Sequence, residues 1–383
     1  MKAAIFYGIL DLSIINHIPM SMLAKRALIP LAAFYFCILL GKISNAQGFT
    51  PDEKVVLEFI RDYPNQSAIK LVRNDTTLAL QNPDKMMPLA STMKIIIAIE
   101  YAEQAALGDL DPDELIPLEE VAKYYLPNTD ANAHPAWLQS VSTKTEDGSI
   151  SIRELAKGMI SHSSNANSEW LLDRLGIEKV NARIDSLGIQ HHEDIFYFVS
   201  ALLIGKEQLK ELQGNDLLAA LKGMTLIEYA EASAEIHEKL KSGFTYQLEL
   251  ADLGIDIQRV WSDNFPASTV SEYADLMGKI NSRTYFSPET QNYLDEVMEF
   301  LMQNPANRGI FQHAGMKGGS SAFILTKSLY VTDTEGNTTE MAYFFDELWP
   351  ITNMRLQQNM NQFELKVLTD AAIRKLVGKE LTE

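Results

Sequence analysis

Cysteine is almost missing from this chain. Cys37 is the only one in 383 residues, and it lies in an apolar stretch near the start. If that stretch is removed, no thiol remains, which excludes disulfides, a cysteine nucleophile and cysteine-based zinc sites. Long hydrophobic runs are missing too. The best candidate, Ala27 to Leu40, has about 14 residues where a bilayer-spanning helix needs roughly 20. Positive charge is scarce: 33 Lys and Arg against 51 Asp and Glu leave a net −18. Residues 1–46 carry Lys2, Lys25, Arg26 and Lys42 against Asp11, a net +3, so residues 47–383 hold −21. So acidic a surface argues against nucleic acid or an anionic membrane as partner. No Gly/Ser/Pro-rich linker divides the chain, and no internal repeat is visible.

What is present begins with an export signal. Lys25 and Arg26 precede the apolar run, and Ser44-Asn45-Ala46 offers small residues for cleavage after Ala46. Residues 1–21 make an unusual n-region, which points to a start at Met20 or Met22. Phe34, Tyr35 and Phe36 are too bulky before Cys37 for a lipoprotein signal. The expectation is a signal peptide at 1–46 and one exported domain at 47–383, periplasmic or extracellular, with no stable membrane span.

Along that domain, Thr50-Pro51-Asp52-Glu53 reads as a capping box opening a helix to about Asp62. Ser67–Val72 and Thr76–Leu80 read as strands around an Asn74-Asp75 turn. A buried helix follows to about Ala106. Residues 109–150 read as loop, with Tyr124, Tyr125 and Trp137 packed into it. Helices are expected at Ile152–Ile160, Ser168–Leu175 and Glu178–Ser186. A helical insertion occupies about 203–260, with its clearest helix at Leu226–Leu240. Further helices are expected at Val270–Ile280 and Pro288–Gln303. Met316–Asp333 and Met341–Leu348 read as strands around a Glu335-Gly336-Asn337 turn, and Phe363–Val377 as a closing helix. The fold class is therefore α+β, with one antiparallel sheet built from both ends of the chain and a helical lobe between them.

The stretch Pro88-Leu89-Ala90-Ser91-Thr92-Met93-Lys94 enters the buried helix. Ser91 and Lys94 are three residues apart and share a helix face. A hydroxyl at a positive helix terminus, with an amine one turn on, is an activated nucleophile. Alone the spacing is weak: a chain of this length holds on the order of one or two Ser-x-x-Lys by chance. The second, Ser67…Lys70, lies on an expected strand, where residues three apart point to opposite faces. Partners for such a serine are a Ser-x-Asn loop and a Lys-Thr/Ser-Gly strand. Ser262-Asp263-Asn264 and Lys241-Ser242-Gly243 match literally but in the wrong order. Ser163-Ser164-Asn165, between two helices, and Lys317-Gly318-Gly319-Ser320, opening a long strand, have the right context.

With these pieces the chain resembles the penicillin-recognising serine hydrolases, most closely the class A β-lactamase catalytic domain, over roughly residues 50–380. The resemblance implies that Ser91 is acylated, Lys94 takes its proton and Ser163 relays a proton to the leaving nitrogen. It implies that Asn165 holds the substrate amide and Lys317 supplies positive potential. It places Gly319 in the substrate-binding strand and makes the Ser91 and Ser320 N–H groups the oxyanion hole, with no metal or cofactor. Two departures stand out. No glutamate stretch like the family's deacylating loop is present, with Glu193 and Glu207 the nearest acids. Gly318 also stands where the family has a hydroxyl, for which Ser320 or Ser321 could compensate. The expected function is an exported β-lactamase-type hydrolase acting on β-lactams or related amides. The alternatives are a D-alanyl-D-alanine peptidase acting on cell-wall peptides and a catalytically idle sensor of β-lactams or peptides.

Overall fold

The computed structural model describes residues 54–246, 248 and 254–382, so the signal segment and the Thr50–Glu53 capping box lie outside the described residues. Helix α1 (Val55–Asp62) leads into strands β1 (Ser67–Arg73) and β2 (Thr76–Gln81). The turn between the strands puts Asn74 and Asp75 in the left-handed region, φ +46° and +60°, which these short polar residues tolerate. Helix α2 (Lys94–Leu107) ends on Gly108 at φ +78°. The helical lobe continues with α3 (Ala133–Val141), α4 (Ile152–Ser161), α5 (Asn165–Leu175) and α6 (Ile177–Ser186). The stretch expected to be an insertion contributes α7 (Leu226–Lys241), opened by a capping box of Thr225 and Glu228, and α8 (Gly254–Asp263) follows. Then come α9 (Val270–Asn281), α10 (Pro288–Met298), strands β3 (Phe311–Ser320), β4 (Leu325–Asp333) and β5 (Thr338–Phe345), and helices α11 (Pro350–Thr369) and α12 (Ala371–Leu381).

The five strands form one sheet in the order β2-β1-β5-β4-β3, antiparallel throughout, so both ends of the chain do share it. Central β5 is buried on both faces. Met341, Tyr343 and Phe345 pack with α1, α11 and α12, while Ala342 and Phe344 face the helical lobe. Strand β3 is the outer edge, free to aim backbone groups at a ligand.

Several sequence expectations are corrected. Met316–Asp333 is not one strand: the chain reverses at Ser321–Ile324, so Lys317 lies near the end of β3 and pairs with β4 rather than β5. The reversal contains no Gly, Pro or Asn, and is held instead by the Ser321 hydroxyl, which accepts the Phe323 N–H. Pro288–Gln303 breaks at Glu299 into α10 and a 3-10 turn. The closing helix is two, separated by Asp370, whose carboxylate caps α12. Residues 109–150 contain α3 and a short helix at Leu118–Ala122; their prolines Pro117 and Pro135 fall at or near helix starts, where no N–H partner is lost. Helix α5 begins at Asn165, three residues earlier than expected, because Ser164 caps it. Among the described residues no helix is long and apolar enough to cross a membrane.

Candidate active site

Ser91 lies in a 3-10 turn, Ala90–Met93, that precedes α2, rather than in the α-helix itself. In that tighter helix residues three apart lie on one face, and the Lys94 N–H bonds the Ser91 carbonyl. Ala90 enters the turn at φ +46°, a conformation costly for a residue with a Cβ. Long-range contacts hold it there. Thr326 of β4 donates to Leu89 O at 2.8 Å and meets the Thr92 hydroxyl at 2.7 Å. Gly319 of β3 lies so close that a Cβ built on it would stand 2.6 Å from both the Ser91 nitrogen and Leu89 O. Only glycine lets the edge strand approach the serine like this.

The side chains then converge. Lys94 is fully buried; its Nζ donates to Ser163 O and to Asn165 Oδ1, each at 2.8 Å, and lies 3.4 Å from Ser163 Oγ. Lys317 reaches in from β3 and donates to the same Ser163 hydroxyl at 2.9 Å and to Gly318 O at 2.7 Å. Ser163 therefore sits between two amines. Its own backbone is left-handed, φ +67°, in the break between α4 and α5. Burial lowers the Lys94 ammonium to about 7 despite the nearby Asp130 and Glu169 carboxylates. Burial also takes Lys317 well below its ordinary range, helped by repulsion from Lys94 and Lys327. A buried amine that is half deprotonated near neutrality is a competent proton acceptor.

A layer of polar contacts beneath fixes the loop. The Ser164 hydroxyl donates to Asn167 Oδ1 at 2.8 Å and lies 2.9 Å from His134 Nδ1, whose imidazole burial pushes down to about 4. The Asp130 carboxylate accepts the His134 N–H at 2.9 Å in the first turn of α3. His134 was not legible in the sequence, because it acts on Ser164, a helix start distant in the chain.

The two departures take physical form. No carboxylate hydrogen-bonds Lys94, Ser163 or Lys317 among the described residues. Glu193 accepts the Ala267 N–H at 2.9 Å and Glu207 pairs with Lys239 at 2.9 Å. The ring of Phe198 faces the Lys94 amine instead, 5.5 Å from its centroid. Phe198 is held by α8, through Trp261 Nε1 donating to its carbonyl at 3.1 Å. At the second departure, Gly318 stands opposite Lys327, and a Cβ there would meet the lysine Cε and Nζ at 3.4 Å. Lys327 lies 3.7 Å from the buried Glu364, which accepts the Tyr343 hydroxyl. Of the two serines expected to compensate, Ser320 is exposed at the strand end, but Ser321 is buried and receives the Ser262 hydroxyl at 2.8 Å. The literal decoys are elsewhere engaged: Ser262 packs on Ser321, and Lys241 pairs with Asp173 at 2.8 Å.

The sheet flanked by terminal helices, the serine turn under its edge strand and the two converging lysines define a serine-hydrolase type of architecture. A family model for the beta-lactamase enzyme family matches residues 53–313, more than half of the chain. The chain belongs to that family. Similar solved structures include a beta-lactamase from Sphaerobacter thermophilus, 16% identical, covering 84% of this chain and 98% of that one with a TM-score of 0.50. TLA-3 extended-spectrum beta-lactamase is 13% identical and covers 82% of this chain and 98% of its own, with a TM-score of 0.50. A class A beta-lactamase representative from Bacteroides cellulosilyticus is 18% identical over 87% of this chain and 98% of that one, with a TM-score of 0.47. Likeness at these identities is likeness of fold. No curated protein sequence matches the chain.

Proposed function

We propose that this protein is an exported serine hydrolase of β-lactamase type, acylated at Ser91 by β-lactams or related amides. The observation that carries the reading is the Ser163 hydroxyl held at 3.4 and 2.9 Å from two buried amines, Lys94 and Lys317, beside the Ser91 turn. In this reading the neutral Lys94 amine takes the Ser91 proton as Oγ attacks the carbonyl. The Ser91 and Ser320 N–H groups receive the oxyanion. The proton passes through Ser163 to the departing nitrogen. Asn165, its Oδ1 occupied by Lys94, keeps its NH₂ for the substrate amide. An anionic substrate restores charge to Lys317, because a nearby carboxylate favours the protonated amine. Export rests on the Lys25–Ala46 segment.

The Phe198 ring over Lys94 favours a second reading. With no carboxylate hydrogen-bonded to Lys94, Ser163 or Lys317 among the described residues, the acyl-serine is long-lived, as suits a D-alanyl-D-alanine peptidase of cell-wall peptides or a sensor better than a fast lactamase. One experiment sorts these. The mature chain is incubated with a fluorescent penicillin, and both protein label and drug concentration are followed. A transient label with sustained drug loss supports the lactamase. A stable label with little drug loss supports the peptidase or sensor, and release of D-alanine from a cell-wall pentapeptide separates those two. Absence of any label at Ser91 rejects acylation by this substrate class.

A further inference from the structure

The insertion is fastened to α5, the helix behind Ser163 and Asn165, by a buried group that the proposed chemistry does not use. His237 of α7 has no exposed surface. Its ring lies between those of Tyr124, with centroids 4.8 Å apart and planes 6° off parallel, and Tyr197, at 3.7 Å and 13°. Imidazole Nδ1 is 3.4 Å from Oε1 of Glu169 on α5. That carboxylate is itself fixed, accepting the Val199 N–H at 3.2 Å, the Ser200 N–H at 3.1 Å and the Ser200 hydroxyl at 2.5 Å. The other ring nitrogen, Nε2, is buried and makes no hydrogen bond. It faces Oδ1 of Asp173, also on α5, at 3.5 Å. Glu238 completes the group: ligand atoms of Asp173, His237 and Glu238 all lie within 4.8 Å of one another. Lys241, half exposed, reaches Asp173 Oδ1 at 2.8 Å.

The Nε2 to Oδ1 separation is long for an N–H···O hydrogen bond. It matches the edge of a tetrahedron instead: ligands ~2.0–2.1 Å from one Zn²⁺ stand about 3.4 Å apart. A carboxylate on the far ring nitrogen, here Glu169, is the usual device that fixes the tautomer of a metal-binding histidine. We propose that Asp173, His237 and Glu238 bind one Zn²⁺ ion through Oδ1, Nε2 and a carboxylate oxygen, clipping the insertion helix to α5. Water fills the fourth position, and the Lys241 ammonium swings out to solvent as the ion takes its place on Asp173. The site is structural and lies outside the Ser91 chemistry.

The test uses the untagged mature chain stripped with a chelator, titrated calorimetrically with zinc chloride and melted with and without the metal. One Zn²⁺ per chain and a raised melting temperature are expected, with no comparable response to Mg²⁺. His237→Gln and Asp173→Asn abolish the uptake. Glu238→Gln, at an exposed position, weakens it at least ~tenfold. Lys241→Met removes the competing ammonium and tightens it, an effect that loss of packing cannot mimic. Failure of the wild-type chain to take up one zinc overturns the proposal, as does affinity unchanged in both Glu238→Gln and Lys241→Met. Neither outcome depends on whether Ser91 is acylated.

Discussion

Two regions of the molecule carry the same Ser-x-x-Lys spacing, and they make nothing alike of it. At Ser67…Lys70 the chain is β1. Ser67 turns inward to donate to Ile60 O and Tyr63 O at 3.1 and 2.9 Å, while Lys70 leaves on the other face to pair with Asp275 at 2.7 Å. At Ser91…Lys94 the chain is a 3-10 turn leading into α2, and the Lys94 N–H bonds the Ser91 carbonyl. A period near three superposes residues that a period of two drives apart. The spacing is therefore not the signal; the backbone under it is.

Variants at the two places sharpen that contrast. Ser91→Ala is expected to abolish covalent labelling by a fluorescent penicillin, read by gel and by mass spectrometry of the modified peptide; a Ser91→Ala protein that still labels refutes the nucleophile. Lys94→Met keeps the volume but removes the base, and should slow labelling by ~10²–10⁴-fold. The wild-type rate carries the same group in its pH dependence. The Lys94 ammonium, lowered to about 7 by burial, cannot accept a proton below that pH. Labelling should rise with pH up to about 7 and level off above it, and a flat profile from pH 5 to 8 removes Lys94 as the base. Gly319→Ala pushes the edge strand off the Ser91 turn, since the new Cβ would stand 2.6 Å from the serine nitrogen. A displacement of about 1 Å should cost ~10²-fold in labelling rate, with a smaller fall in melting temperature. Ser67→Ala should leave labelling unchanged but lower stability by about 1–2 kcal/mol in denaturant titration, because buried Gln81 Nε2, 3.3 Å from Ser67 Oγ, loses one of its partners. Lys70→Met is the mildest: its ion pair with the half-exposed Asp275 is worth about 0–1 kcal/mol.

Much of the site was legible because its pieces are local. Ser91 and Lys94 share one turn, Ser163-Ser164-Asn165 sits where a helix stops and another is capped, and Lys317 heads a run that strand periodicity exposes. The register of that run was not legible, because the reversal at Ser321–Ile324 is made by side-chain hydrogen bonds rather than by turn-forming residues. Phe198 lies in a connection between helices, and nothing in its neighbouring sequence announces that it faces Lys94. The same holds for Glu169 and His237, each of which acts on residues far away in the chain.

Sequence alone determined the class of fold, because hydrophobic periodicity and helix capping are properties of short windows, and the order of its motifs proposed Ser91, Lys94, Ser163, Asn165 and Lys317 as the site. Tertiary structure decided what those residues are chemically. Burial turned Lys94 from a solvated cation into an amine lowered to about 7, the β3 edge closed over Ser91 because Gly319 has no side chain, and the Phe198 ring came to face the Lys94 amine. Desolvation and close approach depend on what the rest of the chain brings to a point, and no short window contains that.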